Sequence, residues 1–216
     1  MFARRHPFLF FLMVTAGFMT AVIISFMVFI TTASKQVSSQ FTPYSHPKGN
    51  IGIVEINGMI LTSKKIIHEI KEFRKDPDIK AIVLRIDSPG GGIGPSQEVY
   101  REIEKTRAKK KIIASMGSVA ASGGYYIASA CEGIIANPGT ITGSIGVILE
   151  YANIEEVARK IGISPVVIKS GKYKDAGSPF RPLSEEEKQV LQNLVDELHL
   201  QFVSDAAKAR KIPVPT

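Results

Sequence analysis

A single cysteine, Cys131, among 216 residues rules out an intrachain disulfide. There is no Cys-x-x-Cys pair and no His/Cys cluster, so zinc-binding spacing is missing as well, and neither a metal nor an organic cofactor is expected. Cys131 follows an apolar stretch of helical composition, which marks a buried structural thiol rather than a nucleophile. Histidine is nearly as scarce. His6 precedes an apolar run, His46 falls in a polar stretch, and His68 and His199 lie in helical segments, so a Ser-His-Asp triad is left without a well-placed base. The glycine-rich turn Ser88-Pro89-Gly90-Gly91-Gly92 is not followed by Gly-Lys-Ser/Thr, which excludes a P-loop, and Gly90-x-Gly92 lacks dinucleotide-binding spacing. Charge is absent altogether from Pro7 to Ser34.

That uncharged run is the first positive feature. Phe8 to Ile30 is almost wholly apolar. It exceeds the roughly 20 residues that cross about 30 Å of hydrocarbon as helix, and the ~7 to 15 residues of a secretory leader's apolar core. One retained N-terminal transmembrane helix is therefore expected, with Thr31-Thr32-Ala33 as the site a cleaved leader would use instead. Arg4 and Arg5 precede the run and only Lys35 follows closely. This predicts a cytoplasmic N-terminus and a domain on the extracytoplasmic, periplasmic side of the cytoplasmic membrane. Lys and Arg number 27 against 20 Asp and Glu, a net charge of +7, but the excess is spread over several helices with no basic stripe interleaved with aromatics. Nucleic acid is not expected as a partner; attraction to anionic lipid headgroups is the simpler account.

The organisation reads as anchor 1–34, linker 35–50 and one domain, 51–216. Ser38, Ser39, Pro43, Ser45, Pro47 and Gly49 supply the linker composition. Strand patterns over Ile51–Ile56, Ala81–Ile86, Lys111–Met116, Gly133–Ala136 and Pro165–Ile168 alternate with helical patterns over Ser63–Asp76, Ser96–Thr106, Ser122–Ala130 and Ile154–Ile161. The alternation predicts an α/β domain with a largely parallel sheet covered on both faces. Ser184 and Glu187 form a capping box opening a long helix. Its apolar stripe, Val190, Leu191, Leu194, Val195, Leu198, Phe202 and Val203, is expected to cover the domain's own sheet rather than a subunit interface.

A serine nucleophile needs an exposed hydroxyl at a sharp turn, a group to take its proton, and N–H donors for the oxyanion. Ser122, in Ala120-Ala121-Ser122-Gly123-Gly124-Tyr125-Tyr126, stands between small residues where a strand gives way to a helix. The glycine-rich turn after the second strand lies at a strand C-terminus, where open α/β sheets place their sites, and its N–H groups together with that of Gly123 could form an oxyanion hole. With histidine excluded, a neutral lysine is the remaining base, which requires burial to lower its pKa by about 3 units. Lys169, Lys172 and Lys174 surround a turn containing Gly171, and sequence physics does not choose among them.

Four motifs in order close the reading: Asp87-Ser88-Pro89-Gly90-Gly91-Gly92, Gly117 to Ala128, Thr142-Gly143-Ser144-Ile145-Gly146-Val147, and Gly171-Lys172-Tyr173-Lys174-Asp175. Over about residues 51–210 they resemble the S49 serine proteases of the signal peptide peptidase A type. The resemblance implies a ClpP/crotonase-like fold, Ser122 as nucleophile, Lys174 as general base, Gly91 and Gly123 as oxyanion donors, and Ser144 orienting the lysine. It also implies a dome-shaped homo-oligomer on the outer face of the cytoplasmic membrane, in which a neighbouring subunit's lysine can complete each site, and hydrophobic peptides, remnant signal peptides, as substrates. Family members continue past the long helix into a Gly-Arg-containing segment, whereas this sequence stops at Thr216. Rival readings are an S49 protease acting on membrane proteins in quality control, a crotonase-type acyl-CoA enzyme, and an inactive peptide-binding scaffold. The acyl-CoA enzyme would need neither a Ser/Lys pair nor a membrane span.

Overall fold

The computed structural model describes residues 6–38 and 49–214, in two compact units divided between Lys48 and Gly49. The first unit is one helix, α1 (Pro7–Ser38). Its stretch Phe8–Val28 is long and apolar enough to cross a membrane. Side chains such as Phe8, Phe11, Phe18 and Phe26 stand exposed, as on a helix that is apolar all round. The helix overruns the expected boundary at residue 34, because Lys35 and Gln36 are good helix formers and no glycine or proline follows until Pro43. The rest of the expected linker up to Lys48, and the Arg4-Arg5 pair that sets the predicted orientation, lie outside the described residues.

The second unit is built on β1 (Ile51–Asn57), β2 (Ala81–Ser88), β3 (Lys111–Ala121) and β4 (Gly133–Ile135), parallel and in that spatial order. A further short strand, β5 (Ile141–Gly143), runs parallel to the C-terminal end of β3. The crossovers carry α2 (Lys64–Lys75), α3 (Ile93–Arg107) and α4 (Gly123–Ser129). Two short-range facts explain the fit. Val54, Ile56, Ile82, Leu84, Ile86, Ile112, Ala114 and Met116 alternate onto one face and are fully buried under these helices. A Cβ on Gly52 would sit 2.5 Å from Cγ of Phe73, so only glycine lets the α2 aromatic lie on β1. Each fully buried Leu or Ile contributes about 1.5–3 kcal/mol, and this face is the core.

Three expectations are corrected. First, the sheet is covered on one face only: the register rows Ile51–Ala81–Lys111, Ile53–Val83–Ile113 and Glu55–Arg85–Ser115 make the other face, where Ile51 and Ile53 are exposed. Every described helix of this unit that packs on the sheet lies on the opposite side, because it is there that alternation supplies consecutive large aliphatics. Second, residues 165–168 form no strand; Val166 and Ile168 are 87% and 97% exposed, since an apolar run without a neighbouring strand has no ladder to join. Third, the long helix α6 (Glu185–Arg210), which follows the short α5 (Glu155–Lys160), packs on the domain's apolar core by its C-terminal turns. Phe202, Ala206 and Ala207 are buried and pack on α4, while Val190 and Leu194 remain exposed. The stripe continues beyond the surface the domain has to offer. The capping box is present as expected, Glu187 N–H donating to Ser184 Oγ at 3.2 Å and Ser184 N–H to the Glu187 carboxylate at 3.0 Å.

Candidate active site

Strand β3 runs to Ala121, five residues past its expected end, and the extra length carries a bulge. Ile86 pairs with Met116 and Ser88 with Ala120, so Gly117–Val119 oppose Asp87 alone. Asp87 holds this irregularity: Val119 N–H donates to its Oδ1 at 3.1 Å, and a Cβ on Gly117 would come within 2.7 Å of its Oδ2. Bulges re-aim the residues beyond them. Here the strand delivers Ser122 with φ 50° and ψ −122°, a conformation rarely adopted by residues with a side chain. Its N–H donates to Gly143 O at 2.8 Å, and its own carbonyl accepts the Tyr126 N–H at 2.8 Å as α4 begins.

Ser122 opens into a cleft lined by Gly91, Ile93, Ser96, Gln97, Gly123, Tyr126, Gly146, Val147, Leu198 and Phe202. Gly91, from the glycine-rich turn after β2, is thus brought to the serine and to Gly123, its neighbour at the start of α4. Ile60 bridges Gly91 in parallel fashion, donating to Gly90 O at 2.9 Å and accepting from Gly92 N–H at 2.8 Å. A parallel bridge of this kind leaves the middle residue's own N–H facing away from Ile60. The Gly91 N–H makes no backbone hydrogen bond among the described residues, and neither does the Gly123 N–H at the first position of α4. The two glycines lie close together, since a Cβ on Gly123 would lie 3.4 Å from Gly91 N and 2.4 Å from Ser96 Oγ. A Cβ on Gly90 would lie 2.8 Å from Ser122 Cβ, so the turn needs glycine there for close approach as well as for its φ of 105°. Two unpaired donors beside one hydroxyl are the components of an oxyanion hole.

The cleft floor is aromatic and fixed. Tyr126 stacks on Tyr100 at 4.9 Å and meets Phe202 edge-on at 4.7 Å. Its hydroxyl donates to the Asp205 carboxylate, which also pairs with Arg101 at 2.8 Å, while the Tyr100 hydroxyl donates to Asp205 O at 2.8 Å. Burial first, then the hydrogen bond to Asp205, raises the Tyr126 phenol above its ordinary range, and burial pushes Tyr100 up to about 12. Cys131 is buried, and burial pushes its thiol up to about 12, so the expectation of an unreactive structural thiol stands.

Sequence reading missed Ser96, Tyr126, Val147 and the α6 side of the cleft. Only the Leu198/Phe202 pair, four residues apart on the apolar stripe, carried a signal. Of the other candidates, Ser144 is brought close: β5 pairs Gly143 with Ala121, so Ser144 follows beside Ser122, exposed and with φ 53°. Lys174 is not. It is exposed and does not line the cleft, so the buried setting expected for the base is absent within one chain.

The three lysines of the 169–174 turn are nevertheless distinguished. Lys169 pairs with Asp175 and donates to Lys172 O at 3.1 Å. Lys172 pairs with Glu186, whose hydrogen bond and charge raise the Lys172 pKa. The Lys174 ammonium makes no hydrogen bond or ion pair with any described residue. Its turn is tied to the far end of α6 through Arg181, which meets Asp175 at 2.9 Å and Glu187 at 2.8 Å. The cleft meets α6 at Leu198 and Phe202, about 17–22 Å further along the helix axis.

Comparison with known proteins agrees with the motifs. Residues 104–216, just over half the chain, match peptidase family S49. A relative in Synechocystis sp. carrying the name "Putative protease slr0021" is 46% identical over 168 residues, 76% of this chain and 60% of its own length. The chloroplastic serine protease SPPA of Arabidopsis thaliana is 37% identical over 164 residues, 76% of this chain and 24% of its own length. Protease 4 of Salmonella typhi is 34% identical over 173 residues, 76% of this chain and 28% of its own. The chain therefore spans 60% of the first of these relatives and about a quarter of the other two. The matched segment takes in the Ser122 turn, Gly123, Ser144 and the lysine turn, and on it the chain belongs to peptidase family S49.

Proposed function

We propose that this chain is a membrane-anchored serine endopeptidase that degrades remnant signal peptides in or near the cytoplasmic membrane, with Ser122 as nucleophile and Lys174 as general base. The observation that carries it is that Ser122, set at a sharp turn, shares one cleft with Gly91 and Gly123, whose amides donate to no backbone group among the described residues. In the reaction, neutral Lys174 takes the Ser122 proton as Oγ attacks the scissile carbonyl. The two amides stabilise the oxyanion, the protonated lysine gives its proton to the leaving amine, and water activated by the same lysine releases the acyl-enzyme. Ser144, beside Ser122, orients the ammonium. Ile93, Val147, Leu198 and Phe202 give the cleft walls that suit an apolar peptide side chain. The helix α1 is the anchor, and the extracytoplasmic placement of the catalytic unit follows from the charge bias of the sequence.

The position of Lys174 outside its own chain's cleft favours a site shared between copies, Lys174 of one copy entering the cleft of the next. The exposed Val190 and Leu194 of α6 are the surface for such self-association. The test is intact-mass analysis of the detergent-solubilised protein, and of Ser122→Ala and Lys174→Ala, after a fluorophosphonate probe. One adduct in the parent, absent from both variants, supports the dyad. No adduct in a folded, assembled parent overturns it in favour of a scaffold.

A further inference from the structure

The turn carrying Lys174 is held by an arginine whose donors are all in use. Arg181 Nε donates to Asp175 Oδ2 at 2.9 Å; one terminal nitrogen donates to Glu187 Oε2 at 2.8 Å and Pro182 O at 3.0 Å; the other donates to Asp175 O at 3.1 Å and to Glu187 Oε1. Five N–H groups thus meet five acceptors, two of them on the residue following Lys174 and two on the first turn of α6. A bidentate fork of this kind fixes direction as well as charge. Asp175 is held from its other oxygen by Lys169, and its carbonyl also accepts the Ser178 N–H at 3.0 Å.

The charged side chains that meet one another at the turn are Lys169, Lys172, Asp175 and Arg181 from the turn itself and Glu186 and Glu187 from the start of α6. Asp175, Glu186 and Glu187 are paired with Lys169, Lys172 and Arg181. Every paired carboxylate is thereby matched by a cation other than Lys174. We infer that Arg181 is a positioning residue for the general base: it locks the backbone at Asp175 to the first turn of α6 and occupies the carboxylates that would otherwise hold the Lys174 ammonium charged. This rests on the dyad reading above. It assigns to the Arg181–Asp175–Glu187 bridge a task that a scaffold ion pair would not have, namely keeping one lysine in a set of three both aimed and unpaired.

The experiment measures the rate of Ser122 acylation by a fluorophosphonate against pH in the full-length, detergent-solubilised chain. The parent is compared with Arg181→Gln, Asp175→Asn and Glu187→Gln. Glu187→Gln retains a side chain able to complete the capping box while removing the charge that meets Arg181, so helix start and bridge are separated. Expected for Arg181→Gln is a tenfold or greater loss at neutral pH, with the rising limb of the profile moved alkaline by about 1 pH unit as Asp175 and Glu187 lose their cation. Asp175→Asn, which leaves Lys169 and Arg181 unmatched, moves the limb the other way, and Glu187→Gln shifts it alkaline by less than Arg181→Gln. A folded, assembled Arg181→Gln with the parent's rate and profile overturns the inference; if that variant does not fold, a parent-like Glu187→Gln overturns it. Lys174→Ala is the separate control: labelling at the parent's rate would sink the dyad itself, whatever the Arg181 variants do.

Discussion

Ser122 donates its backbone N–H to the Gly143 carbonyl at 2.8 Å, and this one bond joins the Ser122 turn to the start of the segment that leads to Lys174. The residues immediately beyond the last paired positions, Ala121 and Gly143, both carry a positive φ, 50° at Ser122 and 53° at Ser144.

The strained serine gives the first prediction. Holding a residue with a side chain at φ 50° costs on the order of 1–3 kcal/mol. Ser122→Gly is therefore expected to be more stable than Ser122→Ala by about 1 kcal/mol, while both lose the probe adduct. Denaturant unfolding of the two variants checks it; equal stabilities would show that the turn stores no strain.

Gly123→Ala addresses the oxyanion donors. Its Cβ would lie 2.4 Å from Ser96 Oγ, so the amide must move, and a loss of about 10²–10³ in acylation rate is expected. The added atom costs roughly 1–3 kcal/mol of stability by overpacking. Adding Ser96→Gly removes the colliding hydroxyl and should restore stability in thermal unfolding.

Alkaline pH should unfold the domain through groups that cannot ionise in place. Burial raises Tyr100 and Cys131 each to about 12 and raises Tyr126 too. The unfolded chain ionises first in each case, so the stability these groups contribute is whole below their unfolded pKa values and is lost as pH rises from about 9 toward 12. Thermal unfolding against pH should show that loss, and Tyr126→Phe should make it shallower.

Acid acts on a different region. Arg181 and the Ser184 backbone amide lower Glu187 to about 2, and Arg181 and Lys169 hold Asp175 well below the usual carboxylate range. Lowered carboxylate pKa values mean stabilisation that is present above about pH 4 and lost as pH falls toward the folded values. Hydrogen exchange should show residues 171–187 opening before the β-sheet as pH drops below 4, and Arg181→Gln should open them already at neutral pH.

Sharing of the site between copies predicts complementation. Ser122→Ala and Lys174→Ala, each inactive alone, should recover activity when dissociated and reassembled together, with about one quarter of the interfaces intact at equal amounts. Leu194→Glu, on the exposed stripe of α6, should reduce the oligomer in size measurements and abolish that recovery.

The parallel order β1 to β4, the crossover helices and the capping box were legible because each rests on local alternation or on a three-residue spacing. β5 was not: Ile141–Gly143 is too short to alternate, and it exists because β3 runs on past its bulge to offer an edge. The bulge depends on Asp87, whose contacts with Gly117 and Val119 span about thirty residues. That Gly91 and Gly123 share one cleft was legible from glycine placement, yet which way the Gly91 amide faces is decided by Ile60, a partner the glycine motif does not contain. Choosing among three lysines required knowing which carboxylates come near, and Asp175, Glu186 and Glu187 meet their partners only after the turn folds back on α6. One-sided coverage of the sheet was hidden because Ile51, Ile53, Val83 and Ile113 read as interior residues in a strand pattern.

The 26-residue helix α6 is about 39 Å long, with Arg181 gripping one end and Tyr126 bound near the other. A rod of that length acts as a spacer: under the shared-site reading it holds a subunit's two reactive groups too far apart to meet. On that reading a lone copy would carry an incomplete site, and activity would rise with the local density of copies rather than with removal of an inhibitory segment.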